Sequence, residues 1–347
     1  MDKERIIVIC PGRGTYTRET SGYLKKYGKS ALRHIEYMDN KRKLSGLQTL
    51  TELDESSFKA KTHLVGEHAS NLIYACSLSD FLSIDQNKYE IVAATGNSMG
   101  WYIALALVGA ITPENAYLLI HTMGSMMKDG VIGGQVIYPV VDEKWQVDDM
   151  KKEMVLSEAA NAGCFVSIFL GGYIVIGGNQ ESLDLLLKKL PFVDKYPFQL
   201  PYHAAFHTQL MDGISEKAMS ELPSTLFQKP IIPLVDGKGC IWSPHSTDVN
   251  SIWNYTLNHQ VVKSYDFTKA ITVSIKEFCP DKLVLLGPGN SLGGVIGQIL
   301  IKNKWLDLDS KSAFSKYQKN NPFLISMGLE EQRNLISKQE MRGDSIT

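Results

Sequence analysis

Residues 90–111 read as an apolar strand, a turn with glycine at both ends and an apolar helix: EIVAAT, then Gly96-Asn97-Ser98-Met99-Gly100, then WYIALALVGAI. A strand that reverses into a helix within five residues needs a sharp turn, and paired glycines permit both the backbone angles and the close approach of strand and helix. The central residue of such a turn is pushed outward, and the free N–H groups of the first helical turn point at the same place. Ser98 holds that position. Two readings fit the pentapeptide alone: a nucleophile elbow of the G-x-S-x-G kind, or a glycine-rich turn with an ordinary serine cap.

Two other apolar runs end in glycine-rich turns. Arg5 to Cys10 enters Pro11-Gly12-Arg13-Gly14, and Lys282 to Leu286 enters Gly287-Pro288-Gly289-Asn290. Strands buried on both faces are continuous apolar runs, so the three together predict a parallel sheet covered by helices, with the turns gathered at one edge where ligands bind. Between about Gly133 and Pro201 the rhythm changes. Strands are expected at Gln135–Val141, Cys164–Leu170, Tyr173–Ile176 and Phe192–Phe198, and helices at Lys144–Ala160 and Ser182–Lys189. The order βαββαβ is that of a ferredoxin-like unit, with Gly171-Gly172 closing a two-residue hairpin. The reading is therefore an α/β chain with a discontinuous catalytic domain, residues 1–131 and 203–308, interrupted by a ferredoxin-like domain at 132–202. Residues 309–347 are polar apart from Pro322 to Leu329 and read as a docked extension with a frayed end.

Composition narrows the class. Of 347 residues, 36 are Lys or Arg and 37 are Asp or Glu, giving a net charge of −1, which leaves no positive excess for a basic nucleic-acid-binding domain. With 44% hydrophobic residues the chain is not a wholly disordered one. Met99 to Ile111 is too short to span a bilayer, so no membrane role is expected. The N-terminal charges stand directly before a short apolar run, which is no secretory signal, so a cytoplasmic chain starting here is expected. The five cysteines are odd in number and scattered, which reads as reduced core thiols.

A serine nucleophile needs a base, and of eight histidines two stand together in Pro201-Tyr202-His203-Ala204-Ala205-Phe206-His207-Thr208-Gln209-Leu210-Met211. An i, i+4 pair can also hold a metal, but no HExxH or third ligand accompanies it, and no metal site is expected.

Taken in order, Pro11-Gly12-Arg13-Gly14, Gly96-Asn97-Ser98-Met99-Gly100, Phe206-His207-Thr208-Gln209-Leu210-Met211, Asn258-His259-Gln260 and Gly287-Pro288-Gly289 resemble the malonyl-CoA:acyl-carrier-protein transacylase family, the acyltransferase domains of fatty-acid and polyketide synthesis. The resemblance implies an α/β-hydrolase-like large domain around a parallel central sheet, carrying the ferredoxin-like insert. It implies Ser98 as acyl-accepting nucleophile, His207 as general base, and the main-chain carbonyl of Gln260 as the group that orients the histidine. The oxyanion hole would be the backbone N–H groups of Met99 and Arg13. An acyl-CoA would acylate Ser98, and the phosphopantetheine thiol of an acyl carrier protein would then take the acyl group, with no cofactor bound by the chain itself and a monomer expected. Lys151-Lys152, Lys188-Lys189 and Lys302 with Lys304 are candidate contacts for an acidic carrier protein, or simply solvated faces.

The chain departs from that pattern in its pocket, which the resemblance lines with Met123, Asn97, Trp101 and Phe206. Relatives that use malonyl groups carry an arginine before a glycine on the helix after the nucleophile helix, and here Met123 precedes Gly124. Removing one partner of a buried ion pair costs about 3–5 kcal/mol, so a dicarboxylic acyl group is expected to be a poor substrate and an uncharged one, acetyl or longer, a better one. Arg13 replaces the usual glutamine beside the oxyanion hole. It is either a surface residue tolerated in the turn or a guanidinium that enters the pocket from the opposite side and pairs with a carboxylate, restoring malonyl use. Trp101 either packs the helix or narrows the pocket. Two rival functions follow: a thioesterase or editing hydrolase on the same scaffold, and a non-catalytic carrier-binding subunit.

Overall fold

The computed structural model describes residues 2–128 and 130–338. In chain order the elements that position the site are β1 (Glu4–Cys10), α1 (Gly66–Ser83), β2 (Tyr89–Gly96), α2 (Gly100–Leu107) and α3 (Pro113–Ser125). There follow β3 (Gly134–Pro139), α4 (Asp149–Asn161), β4 (Phe165–Leu170), β5 (Tyr173–Gly178), α5 (Gln180–Lys189) and β6 (Phe198–Gln199). The chain continues through β7 (Leu234–Val235), β8 (Ile241–Trp242), β9 (Tyr265–Asp266), α6 (Phe267–Phe278), β10 (Lys282–Leu285) and α7 (Gly293–Lys302), and ends with α8 (Lys311–Asn320), β11 (Leu324–Ser326) and α9 (Glu330–Ile336).

The larger sheet has the order β11-β10-β1-β2-β7-β8, parallel except for the β7–β8 pair. Its apolar runs are continuous because each face meets its own core. Along β1, Ile6, Val8 and Cys10 join one cluster, with Leu72 and Ile103, and Ile7 and Ile9 join another, with Ile271 and Ile299. Each fully buried side chain of this size contributes about 1.5–3 kcal/mol, which makes the strand core a large stabilising element. Register aligns Ile9 with both Thr95 and Leu285, so the turns after β1, β2 and β10 lie side by side, as their sequences predict.

The second sheet runs β6-β3-β5-β4-β9. The order of its first four strands, with α4 and α5 on one face, is the ferredoxin-like arrangement. Val136, Tyr138, Ile174 and Ile176 point to those helices, where they meet Val155, Ala159, Leu183 and Leu186. Alternate residues point the other way, toward the larger unit. β9 lies in the return segment after residue 203 yet pairs with β4, Ile168 opposite Tyr265, so the larger unit's chain contributes the edge strand of the smaller sheet.

Several boundaries differ from expectation. The strand expected at Phe192–Phe198 shrinks to Phe198–Gln199, because prolines at 191 and 197 remove ladder donors and Val193 and Tyr196 pair with each other across a tight turn. The helix expected from Lys144 starts at Asp149, where the Asp148 side chain caps the Lys151 N–H. Cys240 and Cys279 are exposed, so only Cys10, Cys76 and Cys164 are core thiols.

The segment from 309 is a correction of substance, although residues 339–347 lie outside the described residues. Residues 324–326 form the parallel edge strand β11, Leu283 opposite Leu324, and Ile325 and Met327 are fully buried. Arg333 in α9 forms a buried ion pair with Asp80 of α1, and its Nε donates to Met327 O at 2.9 Å. The same Asp80 carboxylate accepts the Gly287 N–H at 2.7 Å and the Tyr23 hydroxyl at 2.8 Å. The C-terminal segment therefore completes the sheet and braces the Gly287 turn, rather than docking on a finished domain.

Candidate active site

The elbow is built from its glycines. A Cβ on Gly96 would stand 2.2 Å from the Gly100 carbonyl, and one on Gly100 would stand 2.3 Å from Cys10 O. Only hydrogen fits at either place, and the elbow nests against the end of β1. Ser98, at φ 55°, takes the left-handed conformation that a sharp strand-to-helix turn requires. Such a conformation costs about 1–3 kcal/mol and persists only when neighbours enforce it. Here they do: the Asn97 N–H donates to Cys10 O at 3.0 Å, the Gln260 Nε2 donates to Ser98 O at 3.0 Å, and the Tyr265 hydroxyl donates to Gly96 O at 2.5 Å.

His207 reaches the elbow from 109 residues away, its Nε2 2.7 Å from Ser98 Oγ. The other ring nitrogen, Nδ1, lies 2.5 Å from the Gln260 carbonyl oxygen. A carbonyl can only accept, so Nδ1 carries the proton and Nε2 is left as an acceptor for the Ser98 hydroxyl. Burial pushes the His207 imidazole down to about 4, with the Gln260 carbonyl opposing that shift. The ring is 1% exposed and tilts against Tyr265, ring centroids 5.4 Å apart. Its backbone is held from both sides: the His207 N–H donates to Val261 O at 2.7 Å, and Gln135 and Ser167 of the smaller sheet both bond Phe206 O.

The N–H groups of Met99 and Arg13, expected as an oxyanion hole, flank the elbow, and among the described residues neither donates to a protein acceptor. Two cavities meet at Ser98. The larger, about 320 Å³, runs between the sheets and is walled by Ile137, Ile168, Leu170 and Val175, with Asn97 and His203 also in its lining. The smaller, about 40 Å³, lies behind the serine and is lined by Met99, Tyr102, Ile120, Met123 and Gly124. It has room for about three water-sized groups, the size of a short acyl chain such as acetyl. Ser98, Arg13 and Phe206 border both.

Two expectations about the pocket are corrected. Trp101 lines neither cavity: fully buried, it donates from Nε1 to Thr256 Oγ1 at 2.9 Å and packs edge-on against Tyr255, so it is helix packing. Arg13 is no tolerated surface residue. It is half-buried, and its Nη2 donates to Leu64 O and Tyr202 O, each at 2.8 Å. His203 stays apart from the reacting pair, with Nδ1 2.9 Å from Pro201 O, and among the described residues no group of three or more His, Cys, Asp or Glu could hold a metal. Nor is any described helix long and apolar enough to cross a membrane.

Sequence reasoning missed the residues that hold the pair together: Tyr265, Tyr102, Gln135, Ser167 and the side chain of Gln260, whose Oε1 accepts from Tyr102 at 2.9 Å. Nothing local marks them, because each acts through contacts to groups far along the chain. Tyr265→Phe is expected to leave Gly96 O buried without its donor, at a cost of about 1–3 kcal/mol read by urea unfolding. A cost near zero would mean that the hydroxyl does not hold the elbow.

No established family model matches the chain. It is 26% identical over 208 residues to the polyketide biosynthesis acyltransferase homolog of Bacillus subtilis, a match covering 59% of each chain. It is 23% identical over 213 residues to the malonyl CoA-acyl carrier protein transacylase of the same organism, covering 59% of this chain and 63% of the relative. The chain thus matches about three-fifths of the length of these relatives. Among solved structures, the malonyl-CoA:ACP transacylase of Synechocystis superposes with a TM-score of 0.73 at 14% identity, covering 96% of this chain and all of that one. The acyl-carrier-protein-S-malonyltransferase of Bartonella henselae does so with 0.72 at 20%, covering 95% and 97%. These likenesses establish the fold. In sequence and in fold the chain resembles the malonyl-CoA:acyl-carrier-protein transacylase family.

Proposed function

We propose, from that resemblance and the pair at the elbow, that the chain is a serine-dependent S-acyltransferase moving an acyl group from coenzyme A to the phosphopantetheine thiol of a carrier protein. The observation that carries the reading is the relay from Ser98 Oγ to His207 Nε2, with Nδ1 fixed on a carbonyl. In the first half-reaction His207 takes the Ser98 proton as Oγ attacks the thioester carbon. The developing oxyanion lies toward the N–H groups of Met99 and Arg13, each worth about 3–4 kcal/mol to the transition state by analogy with a measured donor. Collapse breaks the C–S bond, and the proton on His207 goes to the departing thiolate. In the second half-reaction the carrier thiol gives its proton to His207 as its sulfur attacks the acyl-serine, the C–Oγ bond then breaks, and the proton returns from His207 to Ser98 Oγ. The larger cavity suits the pantetheine arm, and its apolar walls limit water.

Intact-mass measurement after exposure to acyl-CoA, with and without a carrier protein, tests this. The expected result is one acyl mass on Ser98 that moves to the carrier thiol. Label lost to water and not to carrier would replace transfer by hydrolysis, and no label with any acyl-CoA would favour the non-catalytic reading.

Because the base works neutral and its buried pKa is about 4, acylation is expected to stay flat from pH 8 to about 5 and to fall only toward pH 4. An acid limb centred near 6.5 would refute the assignment. The same shift affects stability. The unfolded chain binds a proton at His207 below about 6.5 and the folded chain does not until about 4, so this group's contribution, full above 6.5, is lost as pH falls through that window.

A further inference from the structure

We infer that the open cavity beside β7 and β8, about 630 Å³, is a second ligand site that takes an adenine mononucleotide, and that its occupant steadies the turn from which Gln260 holds the reacting pair. None of its lining residues borders either cavity at Ser98. Its wall is aromatic. Tyr255 is buried, stacked on His259 with centroids 5.6 Å apart and tilted against Trp242 at 5.9 Å. Trp242, Trp253 and His259 stay half-buried and offer a stacking surface to a flat heterocycle. Asn250 and Asn254 stand on one face of the short helix Val249–Asn254 and line the cavity, and among the described residues their side-chain amides have no partner. An asparagine amide matches the donor and acceptor edge of adenine. Lys238, also in the wall, has no carboxylate within ion-pairing distance among the described residues, and the charges that act on the His259 ring are those of Lys238 and Lys263. That corner suits a phosphate. The carboxylate in the wall, Asp236, is fully buried and already accepts from the Lys238 N–H, the Cys240 N–H and the Trp242 indole at 2.8, 2.9 and 2.9 Å, so it braces the wall and leaves the ligand to the other groups.

The same segment holds the site, and this link, unlike the binding, rests on the acyltransferase reading above. Tyr255–His259 winds as a single π-helical turn, with the Gln260 N–H donating to Tyr255 O. One extra residue in a helical turn rotates everything after it by about 100°, so the direction in which Gln260 points depends on that turn staying wide. Gln260 lines the small cavity, accepts from His207 Nδ1 through its carbonyl and donates to Ser98 O, while Tyr255 and His259 just before it line the other cavity. Thr256 of the turn also receives the Trp101 indole N–H from α2. The cavity is open while Ser98 and His207 stand 2.7 Å apart, so an occupant that fits it favours the joined arrangement.

Equilibrium dialysis of the full chain against adenosine monophosphate (AMP), adenosine and inorganic phosphate tests the site, with Asn254→Ala and Lys238→Gln as variants and thermal melting to check folding. The expected result is one AMP per chain, bound about tenfold less tightly by either variant, with adenosine weaker and phosphate alone not retained. No AMP binding overturns the assignment, and so does phosphate held as tightly as AMP. AMP binding that the variants leave unchanged would put the nucleotide in the cleft that receives coenzyme A, which overturns it as well. Acylation of Ser98 by acetyl-pantetheine, a donor without a nucleotide, reads the link: saturating AMP is expected to speed labelling several-fold in the intact protein and not in Lys238→Gln. AMP that binds and leaves the rate unmoved overturns the link to Gln260. An absence of label in every arm overturns the acyltransferase reading, while dialysis still decides the site.

Discussion

Ser98→Ala is expected to abolish acyl labelling altogether, and His207→Ala to slow acylation by roughly 10³–10⁴-fold, with folding intact in both. The size of the second loss follows from geometry. Nε2 stands 2.7 Å from the hydroxyl, within direct reach of its proton, and in the proposed mechanism removal of the ring leaves water as the base. The orienting group is a main-chain carbonyl, so no neighbouring carboxylate remains to take over when the imidazole is removed. Mass labelling over a time course distinguishes the cases. A labelled Ser98→Ala protein would place the nucleophile elsewhere, and a His207→Ala loss below about tenfold would show that the ring orients rather than accepts a proton.

Arg333→Ala is expected to cost about 3–5 kcal/mol, a large share of the roughly 5–15 kcal/mol that stabilises a typical domain. The variant leaves the Asp80 carboxylate, fully buried in α1, without its cation. Asp80 also receives the Gly287 N–H, and Gly289 of the same turn lies against Gly328, so the damage is expected to spread to the sheet edge that carries the site. Urea unfolding of the full chain measures it. A loss under about 1 kcal/mol would mean that the C-terminal segment docks weakly, as its polar sequence alone suggests.

What could be read beforehand had short-range causes. The apolar run of β1 predicts burial on both faces, and all of Ile6 to Cys10 are fully buried. Gly96 and Gly100 predict the elbow, because no other residue fits between strand and helix. The alternation in Val136, Tyr138, Ile174 and Ile176 predicts the smaller sheet. Readings went astray where a distant partner decides. Leu324 to Ser326 are three residues with no alternation of their own, and only β10, already in place, makes them a strand. Trp101 could face either side of α2 until Thr256 supplies an acceptor for its indole N–H.

The sequence by itself therefore determined the parallel strands, the serine at the tip of the elbow and the residue types present near it, because strand periodicity and glycine sterics act within a few residues. Only the tertiary structure decided which way Arg13 points, that the Gln260 side chain joins its carbonyl in holding the site, and that residues 309–338 complete the sheet. Each of these is a choice between side-chain directions or edge pairings that are equivalent in the isolated segment. They become unequal only when a partner from far along the chain removes the alternative from solvent, so the free energy that selects them does not exist until the fold does.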